Sequence, residues 1–529
     1  MVKVLISDKM SPLAAQTLKQ RGIEVIENYD IHKDKDAFIA LLREVDGVAI
    51  RSATKITRPI LEAMTGGTLK VIGRAGIGVD NVDIPAATAQ GIVVMNTPFG
   101  NSITTAEHAI ALMFALAREL PAADTSTRAG KWEKNRFMGV EMTGKTLGVI
   151  GCGNIGSIVA ERAHGLKMKV VAFDPFLTPE RALELGVDKV TLDELLARAD
   201  FISLHTPLTE STRNILSAEN LAKTKKGVRI VNCARGGLID EAALYALLKS
   251  GHVAGAALDV FVEEPATASP LFELPNFICT PHLGASTTEA QVNVALQVAD
   301  QIAEYLTTGG VSNALNLPSL TPEEAPKLKP YMALAEKLGL LAGQLAGDGI
   351  QAVTVEYEGA IAELNAKPVT AGVLAGLFKP HSDTVNMVNA PAIAKDRNID
   401  VADVRHERDS DYHTLVRLTV KTPSGDKTVA GTLFGNREPR LIELEGIKVE
   451  ADLDGNMLYV VNDDKPGFIG RLGTALGEAN VNIGTFHLGR RTEGGEAVLL
   501  LSLDSGMPEW LIAQVAELPH VRQAKALSF

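Results

Sequence analysis

Cysteine is scarce. Cys152, Cys233 and Cys279 are the only three, and none has metal-ligand spacing. A disulfide scaffold is therefore excluded, no metal is expected, and a reducing compartment fits. Aromatics make up 5% of the chain, and acids outnumber bases 64 to 52. Sequence-independent nucleic-acid binding needs the opposite balance. No run of about 18 apolar residues occurs, so no membrane span is expected. The opening M-V-K-V-L-I-S-D reads as a strand and not as a signal peptide. The expected location is the cytoplasm. Low-complexity segments and short repeats are missing, which removes collagen-like and disordered classes. What remains is ordinary globular material, 46% hydrophobic over 529 residues, enough for three or four domains. A net charge of −12 still permits an anionic small substrate, because a handful of arginines can build a local positive pocket.

The first 320 residues alternate short apolar runs with amphipathic stretches. Val2–Ile6, Gly47–Ile50, Lys70–Gly73 and Ile92–Met95 read as strands, with helices such as Ser11–Arg21 and Asp36–Glu44 between them. A second series begins at Lys145: Thr146–Ile150, Lys169–Phe173, Phe201–Leu204, Arg229–Asn232, Gly255–Leu258 and Asn276–Cys279. The fold class is α/β, with two doubly wound parallel-sheet lobes and a crevice between them. Thr104–Glu119 reads as an apolar helix joining the lobes, and Thr287–Thr307 as one returning to the first. Gly309–Lys329 carries a linker signal in its Gly, Asn, Pro and charge. The expected domains are a substrate lobe (1–99 and 285–318), a dinucleotide lobe (100–284), an intervening α+β domain (319–452) and a ferredoxin-like domain (453–529).

Gly151-Cys152-Gly153-Asn154-Ile155-Gly156 follows a strand and opens a helix. Gly151 permits the tight turn, Gly153 a close approach to a pyrophosphate, and Gly156 close helix–strand packing. The helix N-terminus faces the phosphates. Asp174 ends the next strand, about 20 residues on, where such a fingerprint places its acid. That carboxylate binds both ribose hydroxyls and repels a 2′-phosphate, so NAD is favoured over NADP. A glycine turn without nucleotide is the plainer alternative.

Ligands of parallel sheets bind beyond the carboxyl ends of the strands. There stand Asp174, Thr206-Pro207, Cys233-Ala234-Arg235-Gly236-Gly237, Asp259 and His282, and in the first lobe Arg51-Ser52, Arg74-Ala75-Gly76 and Asn96. Arg235, in A-R-G-G, has a guanidinium free to fork onto a carboxylate. A structural ion pair is its alternative role. His282 suits a proton acceptor, and Glu264 can bond its second ring nitrogen. A lone histidine is more often structural or exposed and an acidic pair before proline usually a solvated loop, and the three gain weight jointly. A secondary alcohol beside a carboxylate then loses a hydride to NAD and a proton to His282 while Arg235 holds the carboxylate. Arg51 and Arg74 remain for a further anion, such as a phosphate.

These motifs carry a resemblance. R-S-A-T (51–54), G-R-A-G-I-G-V-D-N-V-D (73–83), M-N-T-P-F-G-N-S (95–102), the glycine fingerprint, V-N-C-A-R-G-G (231–237), A-L-D-V-F-V-E-E-P (257–265) and P-H-L-G-A-S-T (281–287) resemble the D-2-hydroxyacid dehydrogenase family. Within it they resemble the long-form enzymes acting on 3-phosphoglycerate. The resemblance implies a Rossmann-type NAD lobe and a flavodoxin-like substrate lobe. It also implies NAD-linked oxidation of 3-phosphoglycerate to 3-phosphohydroxypyruvate, the entry step of phosphorylated L-serine biosynthesis. Arg235, Glu264 and His282 become the catalytic set. Gly151, Gly153, Asn154, Ile155, Gly156, Asp174, Thr206, Pro207, Cys233, Ala234, Arg235, Asp259, His282, Gly284 and Ala285 line the cofactor. Arg51, Ser52, Arg74, Gly76, Asn101 and Ser102 contact substrate, and Arg128, Lys131 and Trp132 reach a neighbouring subunit's site. Ile77 stands where the family often has Thr, which bears on one hydroxyl contact to the cofactor.

The C-terminal domain resembles an ACT domain. Asn462, Asp464, Gly467 and Asn482 match a serine-binding pattern, so L-serine is the implied allosteric effector and a homotetramer the implied assembly. A pairing module without effector is the alternative. The intervening domain resembles one that can bind a phosphorylated anion, for which Arg437 and Arg440 are candidates against a solvated charged loop. Two functional alternatives stay open: a dehydrogenase of another D-2-hydroxy acid such as 2-hydroxyglutarate, or a non-catalytic NAD-sensing interaction protein.

Overall fold

Residues 2–321, 324–347, 349–382, 384–406 and 412–529 are described by the computed structural model. They form four sheets. The first has β1 (Lys3–Ile6), β2 (Glu24–Glu27), β3 (Gly47–Ile50), β4 (Val71–Arg74) and β5 (Val93–Asn96). All are parallel, in the order β2-β1-β3-β4-β5. This is the flavodoxin-like winding. The second has β6 (Thr146–Ile150), β7 (Lys169–Phe173), β8 (Asp188–Lys189), β9 (Phe201–Leu204), β10 (Val228–Asn232), β11 (Val253–Leu258) and β12 (Phe277–Cys279). It is also wholly parallel, ordered β12-β11-β10-β9-β6-β7-β8. Strand order reverses between β6 and β9, the point where a Rossmann-type sheet receives its ligand. Strands such as Val-Ala-Ile of β3 and Phe-Ile-Ser-Leu of β9 are buried throughout, because helices cover both faces of a parallel sheet.

Two long helices fix the lobes. Ser102–Arg118 buries Ala106, Ala109, Leu112, Met113 and Leu116 in the second lobe's core. Thr288–Thr308 starts at Thr287, whose side chain accepts the Ala290 N–H. It returns to the first lobe, where Val298 and Ile302 lie so close to β4 that a Cβ on Gly73 would come within 2.6 Å of either.

The segment that composition marks as a linker is built into the fold. Leu315 N–H donates to the Val94 carbonyl at 2.8 Å. Asn316 accepts from Val94 N–H at 2.9 Å and donates to the Ile92 carbonyl at 2.8 Å. Val311 and Leu320 pair and are buried. The reason is β5, an edge strand whose unpaired backbone groups need partners. Helix Ala325–Ala346 already begins inside the same stretch.

That helix and Lys367–Phe378 cover a sheet of β13 (Ala352–Gly359), β14 (Asp400–His406), β15 (Thr414–Lys421), β16 (Lys427–Phe434), β17 (Glu438–Leu444) and β18 (Ile447–Ala451), ordered β14-β13-β15-β16-β17-β18. Arg440, one of the two candidate anion binders here, is paired with Asp452. The fourth sheet has β19 (Asn456–Asp463), β20 (Ile483–Arg490), β21 (Glu496–Leu503) and β22 (Val521–Ser528), ordered β20-β21-β19-β22 and antiparallel. With helices Phe468–Glu478 and Glu509–Ala516 it completes the ferredoxin-like order. Leu458, Val460, Leu499 and Leu501 face those helices. Met457, Tyr459, Val498 and Leu500 face the other way, into a core shared with Ile447 and Val449. The sheet's helix-free side is therefore covered by the domain before it. No helix among the described residues is long and apolar enough to cross a membrane.

Candidate active site

The glycine fingerprint folds as its spacing requires. Gly151 has φ +90°, and a Cβ there would lie 2.6 Å from the His205 carbonyl. A Cβ on Gly156 would meet the Gly151 carbonyl at 2.0 Å, whereas one on Gly153 would meet nothing within 4 Å. The turn is thus closed where strand and helix pack and open where a pyrophosphate approaches. Helix Asn154–Gly165 begins there, with Ile155 half-buried in its first turn. Asp174, at the end of β7, accepts from Cys152 N–H and Phe176 N–H, both at 2.8 Å. Thr206 and Pro207 follow β9, and Cys233 and Ala234, both buried, follow β10. These strand ends share one edge, so the residues present fit a dinucleotide.

Between the lobes lies a cavity of about 700 Å³. Arg51, Ser52, Arg74 and Gly76 line it from the first lobe, and Asp259, Phe261, Glu264, His282 and Ala285 from the second. Arg51 donates its backbone N–H to Asp8 and its guanidinium to the Lys9 carbonyl at 3.0 Å. Gly76 N–H donates to Thr97 Oγ1 at 2.6 Å. Arg74 Nε is buried with no hydrogen-bond partner among the described residues. Burial, then the charges of Arg235 and Arg51, lower its pKa to about 10. A guanidinium desolvated beside two like charges is a standing demand for an anion.

His282 sits at φ +56°. Asp259 pins that turn. Its backbone carbonyl accepts from His282 N–H at 3.0 Å, and its carboxylate accepts from Thr280 Oγ1 at 2.6 Å, Leu283 N–H at 2.7 Å and Gly284 N–H at 2.8 Å. Fully buried, Asp259 serves first as an anchor. His108 and Cys233 lie beside it. The thiol is held protonated, because burial and then the Asp259 charge push it well above its ordinary value. His282 Nδ1 and Glu264 Oε2 are 2.7 Å apart, and Glu264 Oε1 accepts from Phe261 N–H at 3.0 Å. The bond to Glu264 raises the His282 pKa, against burial. Burial alone would raise the Glu264 carboxyl, but the His282 bond and the Phe261 N–H outweigh it and hold the group below its usual range. The pair therefore orients one ring nitrogen and leaves the other to the cleft.

Arg235 departs from expectation. Its guanidinium is not free: Nε donates to Asp80 Oδ2 at 2.8 Å and Nη1 to the Ala234 carbonyl at 2.6 Å. The reason is the opposite lobe, whose loop after β4 carries an acid within reach. Asn101 and Ser102 begin the joining helix. Ser102 Oγ donates to the Pro98 carbonyl at 2.8 Å, while Asn101 Oδ1 is buried without partner among the described residues. Arg128 pairs with Asp124 at 2.8 Å, and Trp132 is 86% exposed. Neither they nor Lys131 line the cavity of their own chain. Sequence reasoning missed Asp80, Asp8, Thr97 and His108. The acid in R-A-G-I-G-V-D was the available signal for the first.

The C-terminal candidates do not meet within one chain. Asp464 follows β19 and accepts from Arg490 Nη1 at 2.8 Å and Gly494 N–H at 3.1 Å. Gly467, at φ +88°, precedes helix Phe468–Glu478, and Asn462 is buried with Oδ1 unpartnered among the described residues. Asn482 precedes β20 and donates to Asp504 at 2.7 Å. Arg490 ends that strand of eight residues, which at about 3.3 Å each places Asn482 roughly 26 Å away.

Residues 110–284 match the family model described as D-isomer specific 2-hydroxyacid dehydrogenase, NAD binding domain. Residues 327–445 match the D-3-phosphoglycerate dehydrogenase intervening domain. The chain is 42% identical to a D-3-phosphoglycerate dehydrogenase of Bacillus subtilis, over 100% of this chain and 99% of the other. It is 44% identical to that of Synechocystis sp., over 99% and 94%. Among solved structures, the TT0316 protein from Thermus thermophilus superposes with a TM-score of 0.55 at 33% identity, covering 59% of this chain and all of the other. The apo D-lactate dehydrogenase of Escherichia coli gives 0.52 at 31% identity, covering 60% and 100%.

Proposed function

This chain belongs to the D-3-phosphoglycerate dehydrogenase family, and we propose the residue roles by which its cleft performs the NAD-dependent oxidation of 3-phospho-D-glycerate to 3-phosphohydroxypyruvate. One observation carries the assignment: the His282–Glu264 pair faces, across a single cavity, two arginines of the opposite lobe. NAD, when bound, supplies the hydride acceptor. The loop Gly151–Gly156 and the helix N-terminus after it hold the pyrophosphate, and Asp174 receives the ribose hydroxyls and repels a 2′-phosphate. Neutral His282 takes the hydroxyl proton, and Glu264 stabilises the imidazolium that results. Arg235 holds the substrate carboxylate and opposes charge on the reacting oxygen. Arg51 and Arg74 take the phosphate, which gives the unpartnered Nε of Arg74 an acceptor. Asn101 and Ser102, at the start of the joining helix, are the remaining proposed substrate contacts.

Following NADH absorbance with a panel of 2-hydroxy acids tests the assignment. 3-Phosphoglycerate is expected to react fastest, ahead of 2-hydroxyglutarate. Faster turnover of 2-hydroxyglutarate would reassign the substrate, and no turnover of any would leave an NAD-sensing role.

L-Serine is the proposed effector, bound where the C-terminal sheets of two chains meet. Asp464, Asn462 and Gly467 of one chain then stand beside Asn482 of the next. The proposed assembly is a homotetramer in the cytoplasm, with Arg128, Lys131 and Trp132 reaching a neighbour's cleft. Their exposure and their absence from the lining of their own chain's cavity support this. Calorimetry with L-serine checks the effector; absence of heat would leave a pairing module only.

A further inference from the structure

Arg235 and Asp80 belong to different lobes, 155 residues apart in sequence. Asp80 lies in the loop after β4, Arg235 in the loop after β10. Their bond takes the Nε edge of the guanidinium at 2.8 Å, and the Ala234 carbonyl takes Nη1. Nη2 lies against Gly78, where an added Cβ would fall 1.5 Å from it and 3.1 Å from Asp80 Oδ2. The loop thus places all three guanidinium nitrogens. Gly78 is there for space, since its backbone is not left-handed. Arg74 and Arg51 stand close enough for their charges to be felt between them. A third guanidinium held loosely among two others would be pushed toward solvent.

We infer that Asp80 is a positioning residue for substrate: reaching across the cleft, it fixes the orientation of Arg235 so that the guanidinium's remaining donors meet the substrate carboxylate, and Gly78 keeps the path open. This rests on the dehydrogenase reading above. Asp80 does not itself touch the reacting atoms. It supplies the counter-charge that lets three arginines share one small anion, and it links the lobes through the group that reads the substrate.

The test compares Asp80→Asn, Asp80→Glu and Gly78→Ala with wild type, by KM for 3-phosphoglycerate and for NAD, kcat, and calorimetric titration with 3-phosphoglycerate. Asp80→Asn is expected to raise KM and Kd for 3-phosphoglycerate about tenfold, since loss of one charge-assisted bond misorients a fork whose placement matters to within an ångström. The KM for NAD and the melting temperature should not move. Asp80→Glu should recover part of the loss. Gly78→Ala should reproduce it, because its methyl displaces Nη2. In an Arg235→Met background, Asp80→Asn should add nothing, for methionine has neither the charge nor the Nε edge that Asp80 holds. Unchanged substrate affinity in Asp80→Asn, a lower KM (Asp80 competing with substrate), or an equal loss in the methionine background would each overturn the inference. A wild-type enzyme inactive on 3-phosphoglycerate would instead sink the parent reading, and the calorimetric comparison with the substrate found would still decide the role of Asp80.

Discussion

The interlobe cleft and the C-terminal sheet are both built from polar residues at strand ends, yet only the first brings its histidine, carboxylate and arginines together within one chain. Arg51, Arg74, Asp174, Arg235, Asp259 and His282 each end or follow a strand of a parallel sheet. In such a sheet every carboxyl end lies on the same edge. Asp464 follows β19, but Asn482 precedes β20, and a helix between them returns the chain to the opposite edge. Two residues 18 positions apart are thus separated by the length of a strand. Sequence proximity misleads in the second region, while in the first a carboxyl-end rule overrides sequence distance. Cleft variants should therefore act within their own chain, whereas C-terminal variants should complement one another across chains.

His282→Ala presses hardest on this contrast. It should lower kcat by about 10²–10⁴, the usual worth of a positioned proton acceptor, while titration shows that NAD still binds. Turnover within a few-fold of wild type would break the cleft's self-sufficiency. Asp174→Ala comes next. Losing hydrogen bonds to a charged acceptor, each worth about 1.5–3 kcal/mol, should weaken NAD and narrow its advantage over NADP. Steady-state kinetics with both nucleotides measure this, and an unchanged ratio would remove Asp174 from the ribose.

Glu264→Gln sharpens the cleft further. The bond to Glu264 raises the His282 pKa, and oxidation requires the neutral ring. The acid limb of kcat/KM thus lies at higher pH than an isolated histidine would give. Without the carboxylate, burial outweighs the smaller pull of the Asp259 charge, and the limb should move to lower pH. A limb that stays, or moves up, would mean another group titrates.

The smallest expected effect concerns the C-terminal seam. Asp464→Ala and Asn482→Ala should each abolish the response to L-serine, a change of a few-fold in activity. Co-assembling the two variants should restore part of it, because one of the two sites at the seam then carries both native residues. Recovery absent from the mixture, with wild type responsive, would refute a site shared between chains.

The two parallel sheets were legible because their strands are short, uniformly apolar and bounded by turn residues. Strands such as Phe201–Leu204 run as the pattern indicates. The Glu264–His282 pair was legible for a similar reason, since both follow strands on one edge. Asp80 was not: its motif marks an acid after the strand, but nothing local names a partner that sits in another lobe. The stretch from Gly309 was misleading in the same way. Its composition is that of a linker, but the free edge of β5 gave its backbone somewhere to bond. Nor does any local pattern reveal that Met457 and Tyr459 face the preceding domain's core.

What the amino-acid order determined by itself is whatever depends on near neighbours: strands, helices, a glycine turn that leaves room at Gly153 alone, and an acid at Asp174. Only the assembled molecule decided which charges meet. Arg235 reaches Asp80, Arg74 Nε is left buried without a hydrogen-bond partner among the described residues, and Asn482 stands a strand's length from Asp464. Electrostatic and hydrogen-bond partners are set by distance in space, and strand direction, which no local pattern encodes, decides that distance.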